Sequence, residues 1–348
     1  MLTRAKRRVL FWLSVVLFFL LMPVAVFYAL GYRLDSNFSL KKTGGLYVAS
    51  GVSGSEIFIN SQFQKKTNLL QGGVFVQNLK PGRYQILVAN ENYLPWQKEL
   101  EVKSQLVSEA RALLVPREPN AEVLLRGRFL QMEFSPLDRV LLLAEDKDAA
   151  KQLVWYLPED KEFLLSDPAL GVLKFKKSFE LVRWLPGGAV LKLDGKPLRL
   201  TFDMNERLVK SAGLGEEKLE RSREESEKFF KRSDARASSE VFYDSEKKIL
   251  AAHWLSVEIL PYYFSKNEEV LLENKEMRGF EYYPRRRDAV IAAFDNGLWA
   301  VEFDGRGGRI IQPIYKGKKP VFAAFPGEGE LYVLDDGILI RLLLSSSG

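Results

Sequence analysis

The one histidine of the chain, His253, stands in ILAAHWLSV, an apolar and strand-like setting. There it reads as a satisfied core ring, not a general base. A Ser-His-Asp site would also need a nucleophile setting such as Gly-x-Ser-x-Gly, which the sequence lacks. There are no cysteines, which removes disulfides, thiolate metal sites and a cysteine nucleophile. With a single histidine besides, the chain does not suit zinc, and no metal or cofactor is expected. GRGG, Gly305 to Gly308, falls between strands and opens no helix, so it is not a phosphate loop. Two carboxylates for glycoside hydrolysis would meet only in three dimensions, and no pair stands out. No catalytic residue is assigned, and the chain reads as a non-enzyme.

Two aromatic stretches are candidates for binding. In YYPRRRD, Tyr282 and Tyr283 stand beside Arg285, Arg286 and Arg287. Rings and guanidiniums together could hold an anionic polymer or a glycan by stacking and bidentate hydrogen bonds. The plainer reading puts one tyrosine in a core and the arginines in an exposed turn. The second stretch, NLKPGRYQILVANENYLPW, ends in Tyr93 and Trp96. These could grip a ligand, but aromatics at a turn more commonly cap a core and keep their polar tips wet.

What must position these residues begins with a membrane segment. Lys and Arg number 51 against 45 acids, a net charge of +6. Arg4, Lys6, Arg7 and Arg8 supply four of those bases, so the rest of the chain is nearly balanced and nucleic acid is not an expected partner. No charged residue occurs from Val9 to Tyr32. A helix rising about 1.5 Å per residue covers roughly 33–36 Å there, enough for a hydrocarbon core of about 30 Å. The sequence therefore predicts a basic stub over 1–8 and a transmembrane anchor over 9–32. The run is longer than the apolar core of a cleaved signal peptide, although Ala29 and Gly31 make a weak cleavage site. The four leading bases place the N-terminus in the cytoplasm and the remainder outside.

From Thr43 to Pro116 short alternating stretches follow one another: GGLYVAS, SEIFIN, GVFVQNL, RYQILVAN, QKELEV and QLVSEARALLV. Half-buried strands with turns this frequent suggest a small Ig-like β-sandwich over 43–116. Lys80-Pro81-Gly82-Arg83 suits a type II turn with glycine at positive φ. Asn92 reads as a left-handed residue before the Pro95 turn.

The ordered pieces GGLYV, SEIFIN, LKPGRYQILV and NYLPW resemble a PEGA domain, a small β-sandwich of bacterial and archaeal surface proteins. The tetrapeptide that names the family falls at Val52-Ser53-Gly54-Ser55, where only the glycine is kept, and Asn92 replaces the usual glycine before the tyrosine. The resemblance implies an envelope module that binds partners or cell-wall polymer, with no catalytic residues to carry over.

Beyond the linker PREPN a loose repeat covers 120–348. MEFSPLDRVLLLAE, VRWLPGGAVLKLDG, VFYDSEKKILAAHW, FEYYPRRRDAVIAAFD and VFAAFPGEGELYVLDD each pair an aromatic-bearing strand, a polar turn and an apolar strand. Phe134, Trp184, Tyr243, Tyr283 and Phe325 recur at the spacing of four-stranded propeller blades. The copies resemble TolB-like or WD-type blades, whose usual turn is Ser-Pro-Asp-Gly; FSPLD, Phe134 to Asp138, comes close. About five blades would use this length, with Ala121 to Gly127 completing the last as its outer strand. Further β-sandwiches are the competing architecture. The charged stretch 215–240 reads as a solvated helix or loop insertion.

The expected protein is thus all-β behind one transmembrane helix. It would be a single-pass cell-envelope protein anchored in lipid, using a PEGA-like sandwich and a propeller to bind envelope proteins or a wall or surface glycan. The rival expectation is a membrane-tethered hydrolase of peptide or glycan with its site in the propeller channel.

Overall fold

The computed structural model describes residues 4–29, 32–34, 40–68, 70–135, 137–147, 150–212, 229–233, 238–257, 259–324 and 329–344. It has two compact units: Met1–Leu114 with Arg306–Gly308, and Val115–Gly305 with Arg309–Gly348.

The first unit opens with α1 (Arg4–Ala29), which continues through Pro23. Its Lys6–Ala29 portion is long and apolar enough to cross a membrane and is not buried by protein. Strands β1 (Tyr32–Leu34) and β2 (Leu40–Lys42) form a two-stranded ladder after it.

The sandwich follows. It contains β3 (Gly44–Ser50), β4 (Glu56–Ile59), β5 (Gln62–Lys66), β6 (Gly73–Leu79), β7 (Gly82–Ala89), β8 (Trp96–Val102) and β9 (Val107–Ala112). One sheet has the order β6-β3-β9, with β3 and β9 parallel; the other has the order β5-β4-β7-β8. Alternation does what the sequence requires of it. Ile57 and Ile59, Ile86 and Val88, and Leu100 and Val102 all point into the core with Leu46 and Val48. Strand β5, absent from the sequence reading, follows a tight turn in which Asn60 and Ser61 take φ of 48° and 65°. Positive φ at both central residues is the type I′ hairpin geometry.

Two turn assignments change. Gly82 lies at φ 156°, far from the roughly +80° of a type II turn. The left-handed residue ahead of β7 is instead Asn78, at φ 62°. Asn92 is not left-handed. The Asn90 side chain closes that turn by accepting the Asn92 N–H at 3.2 Å. Gly54, the one residue kept from the PEGA tetrapeptide, sits at φ 76°, where a Cβ would be strained. Around it the buried Ser55 hydroxyl donates to the Val52 carbonyl at 2.8 Å, and Thr67 Oγ1 accepts the Ser55 N–H at 2.9 Å.

The second unit is a five-bladed propeller. Strand β10 (Asn120–Arg126) precedes the first blade, β11 (Phe129–Phe134), β12 (Leu141–Lys147), β13 (Ala150–Leu157) and β14 (Glu162–Ser166). The short β15 (Lys174–Phe175) pairs β13. The second blade is β16 (Phe179–Leu185), β17 (Gly188–Leu193), β18 (Lys196–Asp203) and β19 (Leu208–Ala212). The third is β20 (Phe229–Ser233), β21 (Ser239–Asp244), β22 (Ile249–Trp254) and β23 (Glu268–Leu272). The fourth is β24 (Gly279–Tyr282), β25 (Ala289–Phe294), β26 (Gly297–Glu302) and β27 (Ile311–Lys316). The last is β28 (Val321–Ala324), β29 (Glu330–Asp335) and β30 (Ile338–Leu343), with β10 as its outer strand. Early and late chain thus share one sheet, which closes the ring.

Between blades the faces interlock as apolar seams. Trp155, Phe179, Leu191 and Phe202 join the first two blades; Tyr243, Phe264, Val290 and Phe303 join the third and fourth; Met132, Tyr156, Tyr332 and Leu339 join the last and first. The first two blades are also linked through a short parallel pairing of β14 with β19.

The third blade departs from the sequence reading. Residues 215–228 and 234–237 of the charged stretch 215–240 lie outside the described residues, and its described part holds β20, the innermost strand of that blade. VFYDSEKKILAAHW consequently spans the second and third strands of its blade, whereas the other copies span the first and second. In the fourth blade the residue matching Phe134 is Tyr282, not Tyr283. The Tyr283 N–H donates to Ala289 O at 2.9 Å, as the Ser135 N–H does to Val140 O. Phe325 lies outside the described residues.

Asp194 illustrates how turns are pinned. With Gly195 it forms a type I′ turn, at φ 46° and 81°. Its carboxylate accepts the backbone N–H groups of Lys176, Lys177 and Ser178 at 2.9, 2.7 and 3.1 Å. Those bonds favour the charged form and hold its pKa below the ordinary value of 3.8. A depressed folded pKa stabilises above the unfolded value and is lost as pH falls through the folded one. Asp194→Ala should therefore melt below the parent at pH 7. The gap should shrink as the pH falls below 3.8, and thermal melts across that range check it.

Candidate ligand-binding site

The structure separates the members of YYPRRRD. Tyr283 and Pro284 are buried, and Tyr282 packs on Phe303 with ring centroids 6.0 Å apart. The Tyr282 hydroxyl shares a 2.9 Å hydrogen bond with Ser239. Arg286 is not displayed either. Its Nε and Nη2 donate to the two oxygens of Asp288 at 2.8 and 2.7 Å, and both side chains are about one-tenth exposed. Arg285, at φ 60°, and Arg287 remain on the surface. Both tyrosines are thus packed, and the middle arginine is a buried tie.

Tyr93 and Trp96 are core residues, 4% and 0% exposed. Trp96 does not keep a wet tip as the sequence suggested. It begins β8 facing inward, and the buried Lys98 ammonium lies 5.8 Å from its ring centroid. His253 is half-buried, not enclosed, and its register partners in β21 and β23 are Glu240 and Glu268. Arg4, Lys6, Arg7 and Arg8 occupy the exposed start of α1. Among the described residues no group of acidic or histidine side chains could hold a metal ion.

Two other places bring chemistry together. The first is the inner ring, where β11 and β24 each contact β28 and β20 contacts β24. Arg232 of β20 donates through Nε to Glu281 of β24. Its charge also reaches Glu133 of β11, which accepts from Gln131 at 3.1 Å. The first and third blades are not neighbours in the ring, so this coupling runs across the axis. Burial raises both carboxyls above their ordinary value, and Arg232 opposes that shift.

The second place is a cavity of about 530 Å³ lined by Leu272, Lys275, Glu276, Phe294, Asp295, Asn296, Trp299 and Ile311. It continues the seam between the third and fourth blades. Val290, Ala292 and Phe294 share one face of β25, and Val301 and Trp299, the β26 register partners of Val290 and Ala292, lie on the same sheet face. Val290, Ala292 and Val301 fill the seam core, and Phe294 packs against it. Trp299, further along, is left half-buried. The rim backbone is fixed. The Tyr243 hydroxyl donates to Lys275 O at 3.0 Å, Lys319 N–H to Asp295 O at 2.8 Å, and Gly317 N–H to Asn296 O at 3.3 Å. Glu276 pairs with Lys248 at 3.4 Å. The side chains of Lys275, Asp295 and Asn296 make no hydrogen bond or ion pair to the described residues. An apolar floor with a few convergent polar groups on a held backbone is the usual form of a small-ligand site.

Sequence reading missed this cavity because its walls come from the connection between the third and fourth blades, the β25–β26 turn and strands β26 and β27. One local signal was available. Trp299 is a large aromatic among residues that the blade buries, Leu298, Ala300 and Val301.

No family model matches the chain, and no curated protein matches it. Among solved structures it is similar to a luciferin-regenerating enzyme, at 11% identity and a TM-score of 0.39, covering 65% of this chain and 95% of that one. It is similar to the β-propeller domain of Cps50 (Swd1) from Myceliophteria thermophila, at 11% identity and 0.33, covering 78% and 93%. A periplasmic gluconolactonase of Pseudomonas aeruginosa gives 13% identity and 0.23, covering 85% and 94%.

Proposed function

We propose that this protein is a membrane-tethered recognition module of the cell envelope. Its α1 spans the membrane with Arg4, Lys6, Arg7 and Arg8 on the cytoplasmic side. A PEGA-like sandwich and the propeller then stand outside and bind an envelope protein or a wall or surface glycan without chemistry. The observation that carries this reading is the cavity at the seam of the third and fourth blades, with its apolar floor and a rim where the Lys275, Asp295 and Asn296 side chains make no hydrogen bond or ion pair to the described residues. The test places a photoreactive amino acid at Trp299 in the full chain in its own membrane. Irradiation should give a discrete adduct, and the same residue at the exposed Arg287 should not. Adducts from both positions alike, or from neither, would sink the reading. A tag after Gly348 that is cut by protease on intact cells, with any outer membrane stripped, checks the orientation.

A second reading has one observation in its favour: the coupled Glu133, Glu281 and Arg232 around the axis. Burial raises the Glu133 and Glu281 carboxyls while Arg232 opposes that shift; a raised carboxyl is the kind that general-acid work uses, which would make the protein a tethered hydrolase of peptide or glycan. On that reading the purified chain turns over wall fragments, and Glu133→Gln or Glu281→Gln lowers the rate by about a hundredfold or more. The recognition reading expects no turnover by the parent.

A further inference from the structure

We propose that the seam cavity takes a pyranose unit of a neutral, N-acylated glycan; the inference rests on the recognition reading above and names its ligand. Charge narrows the class first. Lys275 shares the cavity lining with Asp295 and Glu276, and Glu276 already pairs with Lys248. A polyanion would meet two carboxylates, and a polycation would meet an ammonium with no partner of its own, so a neutral ligand suits the rim.

The floor narrows it further. Trp299 and Phe294 contribute two aromatic rings to the lining beside the aliphatic Leu272 and Ile311. The C–H face of a pyranose is apolar, and its hydroxyls project sideways in the ring plane. Seated on this floor it would send hydroxyls to Asp295 as acceptor, Lys275 as donor and Asn296 as either. Four apolar walls are more than one stacked ring uses, and the methyl of an N-acyl group supplies the surplus contact.

An extended peptide fits less well. The outer strand β27, which contributes Ile311, carries Pro313 opposite Trp299. Proline removes an N–H from that edge just where a peptide would pair to reach the cavity. A peptide would therefore lose the main-chain hydrogen bonds on which strand addition depends.

The experiment uses the full chain in detergent micelles and titration calorimetry with three probes: tetra-N-acetylchitotetraose, cellotetraose and polygalacturonate. The acylated tetramer should bind, cellotetraose should bind more weakly, and polygalacturonate should not bind. Trp299→Ala should weaken the acylated tetramer at least about tenfold, and Trp299→Phe should recover most of the loss. Trp299 is half-buried, so matching melting curves show that the variant is folded. Binding that ignores Trp299→Ala overturns the site, and equal binding of cellotetraose overturns the N-acyl assignment. If no sugar binds while photo-crosslinking from Trp299 still captures one envelope protein, the glycan class falls and the recognition reading stands. If neither gives a signal, both fall.

Discussion

Arg286→Ala should destabilise the propeller unit by about 3–5 kcal/mol, while Arg285→Ala and Arg287→Ala leave its stability unchanged. The three arginines are consecutive and chemically identical, so only their surroundings separate them. Arg286 and Asp288 are each about one-tenth exposed and make two parallel hydrogen bonds. Removing the guanidinium strands a carboxylate away from water, and the cost is that of the uncompensated charge rather than of the pair itself. The double variant Arg286→Met with Asp288→Leu should therefore recover most of the loss. Urea unfolding of the full chain in detergent, followed by tryptophan fluorescence, measures all four. A parent-like midpoint for Arg286→Ala would contradict the buried tie.

Ending the chain at Asp336 should abolish cooperative unfolding of the propeller altogether. This removes β30, which lies between β29 and β10 and holds the first-made strand of the propeller to the last blade. Leu339, Leu342 and Leu344 leave buried positions. At about 1.5–3 kcal/mol for each buried leucine, the loss approaches the 5–15 kcal/mol that typically separates folded from unfolded domains. Strands β10 and β29 would also become open edges, which invite association between chains. Circular dichroism melts and size-exclusion profiles read both effects. A truncated chain that melts like the parent and stays monodisperse would refute the closure as the keystone of the ring.

Much of this architecture is legible in the sequence because its signals are local. Ile57, Ile59, Ile86 and Val88 declare their buried face by alternation alone, and Asp-Gly at Asp194-Gly195 and Asp336-Gly337 declares type I′ turns. The outer strand at Ala121 to Gly127 was legible for a different reason: a repeat with one strand left over at its start needs that strand at its end. The signals fail where two demands compete. In Phe229–Ser233 the charges of the surrounding stretch hide a strand, because the exposed Arg232 finds its partner, Glu281, on the neighbouring blade. Asn60-Ser61 lacks the glycine that marks a tight hairpin, so β5 went unseen. Trp96 reads as a core cap with a wet polar tip because it follows a proline turn, but the strand it begins buries the whole side chain.

By itself, then, the sequence determined an apolar segment long enough to span a membrane, a small sandwich, and a five-fold repeat of β-hairpins, because length, periodicity and turn chemistry are properties of neighbouring residues. The tertiary structure decided which side chains are available to a ligand. Arg286 met Asp288 and was withdrawn, and Tyr93 and Trp96 were enclosed. Trp299, Phe294, Asp295 and Lys275, unremarked in their own segments, came to line one cavity. Availability depends on what packs against a residue from other blades and other strands, and that is set by contacts between residues distant in the chain.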